Sequence, residues 1–487
     1  MKNKILKICF ILISIFMVVP SIIYLIQNKT VRNFNIYFNF FLNSEANKVI
    51  ATITFLILLV LLFILYILII KRKALKSTQQ TLLFVVIISI IFMFMLPWTS
   101  SDIFYYMGVG ELDGVYGQNP YYVTMQDYYE ENKESINDDI LEAGAENGWS
   151  NTTVVYGPVA QTIFKVCSML SFKSVDIAMI VYKLVNLIFH IGTCFLIYKI
   201  TKKEIFLVIY GLNPLILIEF LGNVHNDIIM VFVILLSLYF LLKKKNLLCS
   251  IICLSIATGI KYVAILLLPV VIIYYFKKEK KLNRRFLKCA IYGMLFLLII
   301  GIIYAIYGRD MQIFINMLSQ TQKYSRSIYS VIQQNLPEYT TIVSGTLMGL
   351  FILYYFRFCI DLMTEKNIKF YKIIRKYNFV LILFSLLLGT FQVWYIVWLF
   401  ATFMWQKPNM IRNILGITLI AEIATSVYMF TAESYTFDLY FIELIARTAH
   451  YLADCSKQKN LTIHKLKIHS ATIHILKICE NMEWNVI

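Results

Sequence analysis

The chain has 487 residues, 59% of them hydrophobic and only 15% charged, with a formal net charge of +17 and a mean hydropathy of +0.71. A soluble protein of this length would carry roughly a quarter charged residues and fold as about three domains. Apolar runs that reach membrane-spanning length again and again exclude that, together with collagen, coiled coil, disordered tail and disulfide scaffold.

The first apolar run, 5–26, follows Lys2 and Lys4. It is long and lacks a small-residue cleavage site, so it reads as a retained span rather than a signal peptide. Further runs lie near 49–70, 81–97, 177–198, 205–221, 228–242, 247–276, 286–307, 341–360, 378–405, 411–430 and 437–453. Lys and Arg mark the cytoplasmic side of such spans. Lys2, Lys4 and Lys7 put the N-terminus inside, and Lys71-Arg72-Lys73 returns the chain inside after the second run. The polar loop 97–156 then lies outside. It is acidic, with Asp102, Glu111, Asp113 and eight further carboxylates up to Glu146 against Lys133. The positive charge is therefore cytoplasmic anchoring, and nucleic acid is not an expected partner.

Two runs break a simple alternation. Run 247–276 lies between Lys243-Lys244-Lys245 and the basic stretch 277–281, and run 378–405 lies between Arg375-Lys376 and Lys407. All four ends belong inside. About 30 helical residues measure ~45 Å against a hydrocarbon core of ~30 Å. Two short helices per run, turning on the outer side, resolve the conflict, with one long tilted helix in each run as the alternative. The turns are predicted at Thr258-Gly259-Ile260-Lys261 and across 389–394. The fold is then all-α, a polytopic transmembrane bundle of about 12–14 spans. It divides into two N-terminal spans (1–80), a main transmembrane unit with the outer loop (81–453) and a basic cytoplasmic tail (454–487).

Polar residues on the outer side carry the chemistry. Asp102 follows the third span among aromatics, where a carboxylate at the water boundary can act as a general base. The short turn 222–227 gathers Asn223, His225, Asn226 and Asp227, with Glu219 just inside the preceding run. A tight turn explains Gly222 and Asn223 but not His225. Lys261 sits at a hairpin tip, where a charge marks function by default, with snorkelling the plain alternative. Tyr156-Gly157-Pro158 opens an apolar segment, 157–170, suited to an interfacial helix with Pro158 near its first turn. Phe391-Gln392-Val393-Trp394-Tyr395 at the second tip offers rings to a sugar or to the membrane interface. Nine cysteines without a CxxC pair, none of them in the loop 97–156, give no zinc or disulfide pattern. In the tail, the stretch 462–468 recurs at 472–478.

In order, Ser101-Asp102, Asn119-Pro120-Tyr121, Tyr156-Gly157-Pro158, Asn213-Pro214 with Glu219 and Gly222-Asn223-x-His225-Asn226-Asp227, Lys261-Tyr262, and Trp394-Tyr395 with Trp398 resemble one family. It is the C-superfamily of membrane glycosyltransferases (GT-C), nearest to the polyprenyl-phosphate-mannose-dependent α-1,6-mannosyltransferases, over about residues 80–430. Where such enzymes often carry an acidic residue and an arginine after the first aromatic pair, this chain has Met107-Gly108-Val109-Gly110-Glu111.

The resemblance implies transfer of one hexose, mannose by preference, from a polyprenyl-phosphate donor to a glycan or glycolipid acceptor, with inversion. It makes Asp102 the base. It gives the donor phosphate to Lys261, His225 and Arg326, and the sugars to Tyr105, Asn119, Tyr121, Tyr156, Asn226, Asp227, Gln392 and Trp394. Neither a cofactor nor a metal is expected. The setting implied is a bacterial cytoplasmic membrane, with the site outside and both termini inside. A transporter or flippase of lipid-linked sugars, and a polymerase or ligase of lipid-linked glycans, are the rival readings.

Overall fold

The computed structural model describes residues 2–32, 45–308, 310–319, 328–365, 369–389 and 391–431. Arg326, the last apolar run (437–453) and the whole tail 454–487 lie outside the described residues. Among the described residues every regular element is a helix or helical turn. Long apolar stretches must satisfy each backbone N–H and C=O within the segment, and helices do so.

Three described helices, α1 (Lys2–Asn28), α2 (Glu45–Lys71) and α3 (Thr78–Met93), precede the large loop. The loop carries α4 (Asp102–Gly114), α5 (Met125–Asn132), α6 (Asp139–Ala145) and α7 (Pro158–Met169). Then come α8 (Val175–Thr201), α9 (Glu204–Gly211), the single turn α10 (Pro214–Ile216) and a π-helical turn, Leu217–Gly222. After α11 (Asp227–Tyr239) follow α12 (Leu247–Ile260), α13 (Leu268–Tyr275), α14 (Leu282–Tyr304), α15 (Gln312–Ser319) and α16 (Ile328–Asn335). The last are α17 (Thr340–Thr364), α18 (Phe370–Leu386), the short α19 (Val397–Phe400) and α20 (Pro408–Thr431).

By length and apolarity, five described helices can cross a membrane, and a sixth if the bent pair 204–211 and 214–222 is one span. This is a multi-pass membrane protein. The shorter count, against about 14 spans expected from charge, has a physical origin. Several apolar runs are broken into pieces too short to pass by length alone. Run 247–276 breaks at Lys261, whose extended backbone (φ −148°, ψ 126°) ends α12 after 14 residues. Run 378–405 breaks between Leu386 and Val393 and resumes as 3-10 turns around α19. Both interruptions fall where the charge pattern puts hairpin tips.

The helices α14 and α17 bury little of themselves, 6% and 11% over their apolar windows. Phe286, Leu297 and Ile352 on them are more than half exposed. Such faces are stable only against lipid or another apolar surface. The buried core instead lies where α8, α9, α11 and α12 meet. The two N-terminal spans pack on that bundle, α1 against α3 and α2 against α20. They also hold the loop in place. Ser21 Oγ on α1 accepts hydrogen bonds from Leu96 N (2.9 Å) and the Trp98 indole (2.7 Å), fixing the chain just before Asp102.

Candidate active site

Asp102 opens α4, and its Oδ2 accepts a long hydrogen bond (3.4 Å) from Tyr106 one turn on. The Tyr156 hydroxyl donates in turn to Tyr106 (3.3 Å). Tyr106 is clamped flat on Phe164 of α7, with ring centroids 4.7 Å apart. The α7 helix starts at Pro158, as expected for proline in a first turn. Its outer edge, with the turn after it, exposes Val166, Met169, Leu170 and Phe172, an apolar rim suited to an interface.

The turn 219–227 is held by residues the sequence reading passed over. The ammonium of Lys183, buried in the middle of α8, donates to the carbonyls of Met95 (2.6 Å), Leu221 (2.7 Å) and Gly222 (2.9 Å). Asn186, one turn further, donates to Phe220 O and His225 O. Asn223 donates to Thr99 (2.6 Å) and Glu219 (2.9 Å), tying this turn to the loop before Asp102. Val224 adopts φ 65°, a left-handed conformation that costs a β-branched residue about 1–3 kcal/mol. Those bonds to its neighbours hold it there. The outcome is His225, fully buried, with Nδ1 3.6 Å from Asp102 Oδ2 and Nε2 3.1 Å from Glu219 Oε2. Its ring lies on Trp394, centroids 3.6 Å apart.

Lys261, at the first tip, places Nζ 2.8 Å from Asp227 Oδ1 and 4.1 Å from the centre of the Tyr395 ring. Asp227 Oδ1 also accepts from the Trp398 indole (2.6 Å). The tip meets the Tyr156-Gly157-Pro158 segment through backbone alone. Gly157 N donates to Ile260 O, and a Cβ on Gly157 would stand 2.2 Å from Gly259 O. Only glycine permits that approach.

These elements enclose a solvent-open cavity of about 1010 Å³, whose wall includes Asp102, Tyr105, Tyr156, Lys261, Gln392 and Trp394. A smaller apolar pocket adjoins it, and Tyr395 lines both. The cavity thus brings a carboxylate, an ammonium and aromatic faces to one wall beside an apolar groove.

Residues 11–277 match the family model described as alpha-(1->6)-mannopyranosyltransferase, N-terminal domain. The chain belongs to this family. It is also similar to alpha-(1->6)-mannopyranosyltransferase A of Corynebacterium glutamicum, with 28% identity over 126 residues. That match spans only about a quarter of either protein, 25% of this chain and 26% of the relative. No solved structure matches. The family is described by its mannosyltransferase activity, and the match covers the N-terminal part of this chain. The family region includes Asp102, His225 and Lys261, while the Gln392–Trp398 wall lies beyond it.

Some residues expected at the site stand elsewhere. Tyr121 is fully buried and its hydroxyl donates to Tyr156 O (2.8 Å), so it cannot stack on a sugar in the cavity. Asn119 accepts from Tyr121 N and donates to Tyr307 O, which fixes the loop. His225 stands behind Asp102 rather than on the cavity wall, a poor place to meet a phosphate. Asn226 and Asp227 are also buried, at 2% and 1% exposure. Asp227 reaches the cavity only through Lys261, and neither amide atom of Asn226 has a hydrogen-bond partner among the described residues. Lys183 was findable, since it is a charge inside an apolar run, where polar groups mark function or pairing.

The same loop contains a buried carboxyl, Glu111 on α4. Burial, then Asp138 beside it, pushes its pKa up to about 9. Asp138 caps α6 and accepts from Tyr116 (3.0 Å). A carboxyl raised in this way binds its proton more tightly folded than unfolded. Its stabilising contribution is full below the unfolded value near 4.3 and is lost as pH rises through about 9. The melting temperature should therefore fall between pH 6 and pH 9, and Glu111→Gln should flatten that fall. An unchanged slope in the variant would refute the assignment.

Proposed function

We propose that the protein transfers a single hexose, mannose by family, from a polyprenyl-phosphate donor to a glycan or glycolipid acceptor at the outer face of a bacterial cytoplasmic membrane. The observation that carries this reading is the shared cavity of Asp102 and Lys261 with an apolar pocket beside it. The donor's phosphate lies at Lys261, its first isoprene units in the apolar pocket and its sugar against Trp394, Tyr105 and Gln392. Asp102 takes the proton of the acceptor hydroxyl as that oxygen attacks the anomeric carbon. The bond from the anomeric carbon to the phosphate oxygen breaks from the opposite side, which inverts the centre. Negative charge grows on the departing phosphate, so Lys261 stabilises the transition state more than the ground state.

Full-length protein in detergent, given a radiolabelled polyprenyl-phosphate hexose and membrane glycolipid acceptors, should add one sugar per acceptor. Donor binding without transfer would favour a carrier of lipid-linked sugars, and long products would favour a polymerase. Sidedness is read separately. Ser135, exposed in the large loop, replaced by cysteine should gain label from an impermeant maleimide in intact cells. A gain seen only after lysis would reverse the orientation.

A further inference from the structure

His225 and Glu219 are more deeply placed than any group that meets substrate, yet they line up behind Asp102. The imidazole lies between two carboxylates, Nδ1 toward Asp102 Oδ2 at 3.6 Å and Nε2 toward Glu219 Oε2 at 3.1 Å. Both His225 and Glu219 are fully buried, whereas the Asp102 side chain keeps 19% exposure at the cavity. Every element around the ring restricts it. Trp394 covers one face, Phe220 lies edge-on, and Asn186 holds the His225 carbonyl. Asn223 donates to the same Glu219 oxygen that faces the imidazole.

We propose that His225 and Glu219 complete the base, so that the proton-accepting unit is an Asp102–His225–Glu219 relay rather than Asp102 alone. This rests on the reading of Asp102 as the base. The relay starts from the neutral tautomer that carries its proton on Nε2, the nitrogen on the Glu219 side, and leaves Nδ1 on the Asp102 side to accept. As the acceptor oxygen bonds to the anomeric carbon, its proton moves to Asp102 Oδ2, and the phosphate leaves with the electrons of the broken C–O bond. The proton then passes from Asp102 to Nδ1. Asp102 is ionised again, and an imidazolium stands between two carboxylates. The gain is in proton affinity. An ordinary imidazole holds a proton with a pKa of about 6.5 and an ordinary aspartate with about 3.9, so an alcohol's proton is better taken by the pair. Neither contact is an aligned hydrogen bond. Catalytic bonds of this kind tighten when substrate fills the cavity.

The other titratable groups facing this unit are placed to hold it. Glu422 of α20 adjoins Glu219. Lys183 of α8 spends its ammonium on three carbonyls of the surrounding chain. Lys261 is paired with Asp227 on the next turn. Tyr106 reaches the Asp102 oxygen that His225 also faces.

The test is the pH dependence of kcat, measured for full-length wild type, His225→Gln, Glu219→Gln and Asp102→Asn with a polyprenyl-phosphate hexose donor. Wild-type kcat gives the reference pH limb, which should move when the relay is cut. His225→Gln should lose about 100-fold in kcat, keep the donor KM within about twofold, and rise instead in the carboxylate range. Glu219→Gln should lose about 10-fold in kcat with the donor KM kept. Should His225→Gln elute as aggregate, Glu219→Gln decides on the same measurement. Unchanged kcat and an unchanged pH limb in the folded variants would overturn the relay, as would a raised KM with kcat intact. Turnover surviving in Asp102→Asn would instead overturn the base itself. An inactive Asp102→Asn beside unaffected relay variants would sink the relay alone.

Discussion

Asp102→Asn leaves a folded protein whose transfer rate has fallen about 1,000-fold. The amide keeps the shape of the carboxylate, and its carbonyl oxygen still accepts the Tyr106 hydroxyl. Asp102 is only the first residue of α4, with 19% of its side chain exposed, so no buried ion is left without its partner. Stability should therefore change by no more than about 0.5 kcal/mol, as for substitutions away from core packing. What disappears is the atom that receives the acceptor's proton. Initial rates with a lipid-linked donor, read beside a melting curve, check the result. Turnover near wild type would remove Asp102 from the chemistry.

Lys261→Met has two consequences that must be separated. Lys261 and Asp227 form a buried pair, with side-chain exposures of 10% and 1%. Removing one partner of such a pair costs about 3–5 kcal/mol, because the other charge stays buried alone. The single variant should thus melt earlier. The double variant Lys261→Met with Asp227→Asn should regain most of that stability, since the orphaned charge is gone. Donor kcat/KM should fall about 100- to 1,000-fold in both, the size expected when a preorganised electrostatic partner of developing charge is lost. The acceptor KM should move far less. Transfer recovered along with stability in the double variant would make Lys261 a structural ion and leave the phosphate without its cation.

Much of the architecture is legible from charge. Basic residues at both ends of an over-long apolar run demand an even number of crossings, and Lys261 and the segment after Leu386 break the helices where that demand requires. The polar turn 222–227 stands out for the same reason, as amide, imidazole and carboxylate groups cluster beside an apolar run. Lys183 was equally visible as a lysine in the middle of a span, but its partners are backbone carbonyls, which no side-chain pattern announces. Tyr121 shows the opposite failure. An aromatic beside a motif is as suited to a buried hydroxyl contact as to a sugar face, and only its surroundings separate the two.

The sequence by itself determined an all-helical membrane protein, the two places where over-long apolar runs break, its family and the candidacy of Asp102 and Lys261. These follow from hydropathy, charge placement and short motifs, each a property of neighbouring residues along the chain. The tertiary structure decided the company each group keeps. It put His225 and Glu219 in line behind Asp102, paired Lys261 with Asp227, brought Trp394 from beyond the matched family region onto His225, and withdrew Tyr121 from the cavity. Such convergence depends on where several helices end and how they pack. Free energies of packing, buried hydrogen bonds and ion pairing fix that across long stretches of chain, so no local pattern records it.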